Sequence, residues 1–308
     1  MKNEVITNNK QSLLSKRHVM IIMALFICLL WGSAFPSVAA SYRLMNVYLG
    51  DVFQIMLFAG MRFLISAGLI FIYAFATGKS MKLDWTGFKL ILVLGLLQTF
   101  GQYLFFFLSL RTVHPANASI LSSLGIFMTV AIAHFVYKND KLTPKKIWGL
   151  IIGMAGIIIL SGGISGTFSL TGEGFMFASS LLGAISGIYT KKLTTTLTPY
   201  AISGYQLLFG SILLFGLGLT FSQDVAFTFT MPSTTLLIHL GFISAAGFTG
   251  WSSLLAHHQI SKVSIYKFSI PVFGVFLSFI FLQEAFDLMS VMVAMVLVAI
   301  GILLINIE

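Results

Sequence analysis

The chain has 308 residues, 57% of them hydrophobic and only 9% charged, with a mean hydropathy of +0.97. A soluble domain carries about a quarter charged residues, so this composition excludes the soluble globular class. The single cysteine, Cys28, excludes a disulfide framework and a cysteine-based metal site, and the net charge of +9 raises a nucleic-acid reading that depends on where the charges lie.

In chain order, the polar segment 1–18 reads as a disordered, cytoplasmic N-terminal tail. Ten apolar runs of bilayer length follow, over roughly 19–42, 52–77, 88–110, 114–137, 144–163, 172–190, 199–220, 234–256, 262–284 and 288–306. Short connections carry the helix breakers Thr77-Gly78, Pro115, Thr143-Pro144, Gly162-Gly163, Thr198-Pro199 and Pro232. The fold class expected is an all-α integral membrane protein with ten transmembrane helices.

The first run, "LLWGSAFPSVAASYR", admits two readings. Val38-Ala39-Ala40 resembles a signal-peptide cleavage site, whereas a retained helix would use Gly32, Ser33 and Pro36 to thin its wall beside a pathway. Cleavage would leave nine helices and break the repeat described below, which favours retention.

The basic residues alternate with the runs. Lys16 and Arg17, Lys79 and Lys82, Lys138 and Lys141, Lys191 and Lys192, and Lys262 fall on one side, and only Arg43 and Arg111 lie in loops on the other. The positive-inside rule therefore places both termini in the cytoplasm. The charge is spread over separate inner segments without aromatic interleaving, so nucleic acid is not an expected partner.

The two halves are weakly alike. A shift of 145 residues pairs Ser119-Ile120 with Ser264-Ile265 and Gly156-Ile157 with Gly301-Ile302. Five runs per half is an odd number, so the repeats, 19–163 and 172–306, would sit in the membrane with inverted topology. With "LLWGSAFP", "MRFLISAGLI", "PANASILSSL", "SIPVFGVFLSFIFLQE" and "AIGILLIN" in order, the chain resembles the EamA-like branch of the drug/metabolite transporter superfamily. The resemblance implies a ten-helix, inverted-repeat carrier, and many such carriers export amino acids or related metabolites. The family's fourth helix usually has a proline and ends in glutamate, as Pro271 and Glu284 do in the second half. Here Ile126 and Asn139 stand instead, so a symmetric proline or carboxylate pair is broken.

Polar groups at membrane depth need a partner or a wet cavity. Arg62, about mid-run, reads either as an anchor for a substrate carboxylate or as a structural arginine tied to helix ends. The resemblance implies an arginine at this place whatever the substrate. Lys267, four residues before Pro271, either snorkels to the interface or lines the inner mouth of a cavity. Gln98, Gln102, Phe105 and Ser109 share one helix face, read as cavity lining ahead of interhelical contact. Trp31, Ser33, Tyr189, Tyr205, Gln206 and Trp251 complete the expected substrate-binding set. Gly149, Gly153 and Gly156 read as a packing stripe.

All nine acids lie in tails, loops or at run ends, so a buried carboxylate relay for proton coupling is not evident. His134 reads as a packed, hydrogen-bonded histidine. Neither an HExxH metal motif nor a phosphate-binding glycine loop occurs, and the small-residue serine tripeptides are too common in apolar sequence to mark a nucleophile. The expected function is a secondary exporter of amino acids or related compounds, working by rocking of the two halves, without cofactor or metal. A drug- or nucleotide-like solute, or a receptor or channel, is the alternative. The expected partners are a small-molecule substrate and the lipid bilayer of the cell membrane, and the expected state is monomer or homodimer.

Overall fold

The computed structural model describes residues 13–164, 166, 168–283 and 287–307. Expectations for residues 1–12 and for Glu284 lie outside the described residues. Ten long helices are present among the described residues: α1 Arg17–Leu44, α2 Val52–Ala76, α3 Trp85–Ser109, α4 Pro115–Val136, α5 Pro144–Leu160, α6 Phe175–Leu193, α7 Pro199–Phe221, α8 Met231–His257, α9 Ile260–Leu282 and α10 Leu288–Asn306. Eight are long and apolar enough to cross a membrane. The other two are α5, which at 17 residues rises about 26 Å, and α6, which is rich in small polar residues and ends in Lys191 and Lys192. Phe26, Ile72, Phe135, Trp148, Phe276 and Met292 are exposed, as side chains facing lipid would be.

The starts of the helices follow from residue chemistry. Asp51, Asp84 and Asp287 accept backbone N–H groups at the starts of α2, α3 and α10, and Thr143, Thr198 and Thr230 do so for α5, α7 and α8. Prolines in the first turns of α4, α5, α7 and α8 cost nothing there, because those N–H groups lack helical partners anyway. Part of the expected tail is ordered. Leu13–Ser15 form a 3₁₀ turn, and the Leu14 carbonyl lies 2.6 Å from Nε2 of His258 at the end of α8.

Packing sorts the helices into two groups of three. α1 packs on α8 and α9, and α6 packs on α3 and α4. α2 runs beside α7 and α5 beside α10, each pair taking one helix from either half of the sequence. Small residues permit the closest approaches. A Cβ on Gly149 would lie 2.7 Å from the Gly301 carbonyl oxygen, and one on Gly301 would lie 2.6 Å from that of Gly149. The α5 glycine stripe thus packs on α10. Gly32 has the same use in α1, since a Cβ there would fall 2.6 Å from Cβ of Phe273 and 3.1 Å from the Gly274 nitrogen on α9. Gly32→Val therefore forces α1 and α9 apart. The expected loss is about 1–3 kcal/mol, read as a lower thermal-unfolding midpoint in detergent.

Asp51 ties the halves together at the end opposite the basic loops. Its carboxylate accepts from Phe53 N–H, Gln54 N–H, the Ser222 hydroxyl and Gln223 N–H, at 2.8–3.3 Å. Burial alone would raise its pKa, but these donors outweigh burial and hold the carboxyl below its ordinary value.

Candidate substrate site

Trp31 lies at the centre of an aromatic chain with a cation at each end. Nζ of Lys267 on α9 sits 4.9 Å from the ring centroid of Trp251 on α8. The Trp251 ring is 5.3 Å from Trp31 on α1, and Trp31 is 5.9 Å from Phe248 on α8. Phe248 meets Phe63 on α2 edge-on at 6.4 Å, and the Arg62 guanidinium lies 4.4 Å over the Phe63 ring. Tyr103 on α3 adds an edge contact to Phe63 at 4.7 Å. Such cation–π contacts stabilise a desolvated cation by about 2 kcal/mol but do not neutralise it.

Local sequence explains the placement. Gly247 leaves room for the Trp31 indole to lie against the α8 backbone, because a Cβ there would collide with Nε1. Pro271 has no N–H to offer the Lys267 carbonyl, and α9 tightens into a 3₁₀ turn at Ile265–Phe268. That turn sets Lys267 against Trp251 while Tyr266 and Phe268 are buried.

The two cations have no acidic partner. Lys146 with Asp140 is the one ion pair among the described residues. Nε of Arg62 is buried without a hydrogen-bond partner. Trp31, Arg62, Tyr103, Phe248 and Lys267 are each partly buried among the neighbouring helices. The Nε donor of Arg62 is left without an acceptor among the described residues.

The other expected residues lie elsewhere. Gln98, Gln102, Phe105 and Ser109 all face α6: Thr190 lies 3.5 Å from Oε1 of Gln98, a Cβ on Gly183 would be 3.0 Å from Nε2 of Gln102, and Phe175 and Met176 meet Phe105 and Ser109. The hydroxyl of Ser179 donates to the Gln102 carbonyl at 2.8 Å. This face is a seam between α3 and α6. Ser33 donates to the Leu30 carbonyl of its own helix at 2.7 Å. Tyr189 and Tyr205 pack with Ile91, Leu94 and Ile202, and the Tyr205 hydroxyl donates to the Met81 carbonyl at 3.3 Å. Gln206 is 1% exposed, with both amide atoms unpartnered. The structure therefore gathers Trp31, Arg62, Trp251 and Lys267, and separates them from the remaining six. Outside the aromatic chain, His134 accepts at Nδ1 from Leu142 N–H at 3.0 Å.

One end of the bundle is sealed across the two three-helix groups. Nζ of Lys191 on α6 donates to the carbonyls of Leu255 and His258 at 2.9 and 2.7 Å, and so caps the end of α8. Asp140, after α4, accepts from Ser261 N–H at 3.0 Å and from the Ser261 hydroxyl, at the start of α9. The Gln259 amide donates to the Asn139 carbonyl. Among the described residues, the hydrogen bonds between the groups α1/α8/α9 and α3/α4/α6 all lie at this basic end.

A bundle of apolar helices with unpaired cations at mid-helix is the construction of a membrane transport protein. The sequence matches the EamA-like transporter family over residues 18–162 and again over 170–307, and the chain belongs to that family. It is 28% identical over 297 residues to the "Uncharacterized transporter YvbV" of Bacillus subtilis, covering 95% of this chain and 93% of that protein. It is 25% identical over 291 residues to a "Probable amino-acid metabolite efflux pump" of Salmonella typhimurium, covering 90% and 91%. A solved crystal structure superposes with a TM-score of 0.79 at 17% identity, covering 95% of this chain and 98% of that one, a likeness of fold alone.

Proposed function

We propose that this protein is a secondary carrier that exports amino acids or related small organic metabolites across the cytoplasmic membrane by alternating access. On this reading all ten helices span the bilayer, both termini are cytoplasmic, and no cofactor takes part. The basic loops favour that orientation, and the name of the Salmonella relative favours the substrate class.

The helix pairing supports inverted repeats. Exchanging the first five helices with the last five turns α1–α9 into α6–α4, α1–α8 into α6–α3 and α2–α8 into α7–α3, and each of these contacts is present. α2–α7 and α5–α10 map onto themselves. Because these two pairs join the halves, rocking of the two halves gives way, on this reading, to movement of helix groups drawn from both. The moving bodies are instead α1/α8/α9 and α3/α4/α6, each drawn from both repeats.

The observation that carries the proposal is the seal at the basic end. Bonds between the two groups close the basic, cytoplasmic end, and half-buried Trp31, Arg62 and Lys267 lie among the helices the seal joins. That is the arrangement expected of a carrier closed on the inside. The test is counterflow in vesicles holding the purified protein, with amino acids and their derivatives as exchange partners. Saturable, trans-stimulated exchange is expected, and an ohmic, non-saturating current would replace the carrier with a channel.

A further inference from the structure

The fixed charges around the aromatic chain do not balance. Arg62 lies over the Phe63 ring and Lys267 over the Trp251 ring. The chain has nine acids, six of them among the described residues, and each of the six is engaged elsewhere. Asp51, Asp84 and Asp287 cap helices, Asp140 holds Lys146, Glu173 accepts from Asn117 and Ser169, and Asp224 accepts from Ala226 N–H.

A zwitterion brings a carboxylate and an ammonium together, so it leaves the net charge of the site unchanged. Its ammonium also enters a positive field. The Phe63 and Trp251 faces already carry Arg62 and Lys267. A monoanion removes one uncompensated charge. In a partly desolvated site that difference outweighs individual hydrogen bonds. We infer that the site selects small organic solutes of net negative charge ahead of zwitterions. This narrows the carrier reading above and rests on it. Among amino-acid derivatives it favours acidic or N-acylated ones over neutral ones.

Four ligands that share a phenyl ring and differ in charge test the inference. Phenylsuccinate, 3-phenylpropanoate, phenylalanine and phenethylamine are titrated into the full-length protein in nanodiscs, with quenching of tryptophan emission as the readout. Phenylpropanoate is expected to bind at least about tenfold more tightly than phenylalanine, the scale of a hydrogen bond to a charged group. Phenylsuccinate is expected to bind more tightly than phenylalanine, and phenethylamine most weakly. Phenylalanine binding as tightly as phenylpropanoate would overturn the inference, as would the absence of quenching by either anion. Because the series uses the native protein, it does not depend on a variant folding. Failure of the carrier reading looks different: the charge order holds in binding while the tightest ligand shows no saturable counterflow.

Discussion

Arg62→Gln is expected to reduce substrate counterflow by about 10- to 100-fold, the equivalent of one or two lost charge-assisted hydrogen bonds. It should not lower the thermal stability of the substrate-free protein. Both expectations come from the same geometry. The guanidinium has a buried Nε with no partner, no ion pair among the described residues, and the face of Phe63 beneath it. Removing a charge that nothing satisfies relieves a desolvation cost, so the empty variant should unfold at or above the wild-type temperature. The substrate-induced rise in unfolding temperature should shrink or vanish, because that rise follows binding by mass action. A structural arginine would give the opposite result: unfolding would occur earlier and the ligand shift would persist. Arg62→Lys separates charge from shape. It keeps the cation and loses the planar fork, so intermediate transport points to bidentate recognition of a carboxylate.

The helices were largely legible in the sequence because apolar runs and their breakers are local signals. The expected run 52–77 is Val52–Ala76 in the structure, and 288–306 is Leu288–Asn306. Proline and threonine marked several of the starts for reasons that hold in any helix. What the local signal could not show is which helix each face meets. The stripe Gln98, Gln102, Phe105 and Ser109 does share one face, yet that face meets α6. A stretch with i→i+5 bonding, Gly95–Gly101, lies inside it and has no sequence mark beyond its glycines.

The site was half legible for the same reason. Arg62 and Lys267 stand out because a charge within an apolar run is costly wherever the run packs. Trp31 and Trp251 stand out by rarity, with four tryptophans in the chain. Phe63, Phe248 and Tyr103, which join the two cations, were missed. Nothing separates Phe63 and Phe248 from the other members of a set of 30 phenylalanines until α2, α3 and α8 are brought together in space. Asp140 was missed as well. It lies in a short loop among lysines, where a solvated acid is the ordinary expectation.

Asp140→Asn should have the largest effect on stability and should also open the basic end. The Asp140 carboxylate is 1% exposed and Lys146 is 2% exposed, with 2.7 Å between Oδ1 and Nζ. Removing the carboxylate's charge leaves a buried ammonium with only neutral acceptors such as the Lys141 carbonyl, which costs about 3–5 kcal/mol. Asp140→Asn combined with Lys146→Met removes both charges and should recover most of that loss, since an apolar replacement of a buried pair is close to neutral. The double variant still lacks the carboxylate that accepts Ser261 N–H and the Ser261 hydroxyl across the two helix groups. Stability and closure are therefore separable. The recovered double variant should remain biased toward opening at that end by about 10- to 100-fold, the equivalent of a hydrogen bond to a charged group. Cys28 reports the opening. It is the chain's one cysteine, it is wholly buried, and its thiol donates to the Tyr266 carbonyl at 3.2 Å on the same stretch of α9 that Asp140 holds. A membrane-impermeant thiol reagent supplied from the cytoplasmic side should label Cys28 faster in the double variant than in the wild type. Equal labelling rates, with stability recovered, would show that Asp140 serves only to balance Lys146 and does not hold the two helix groups closed.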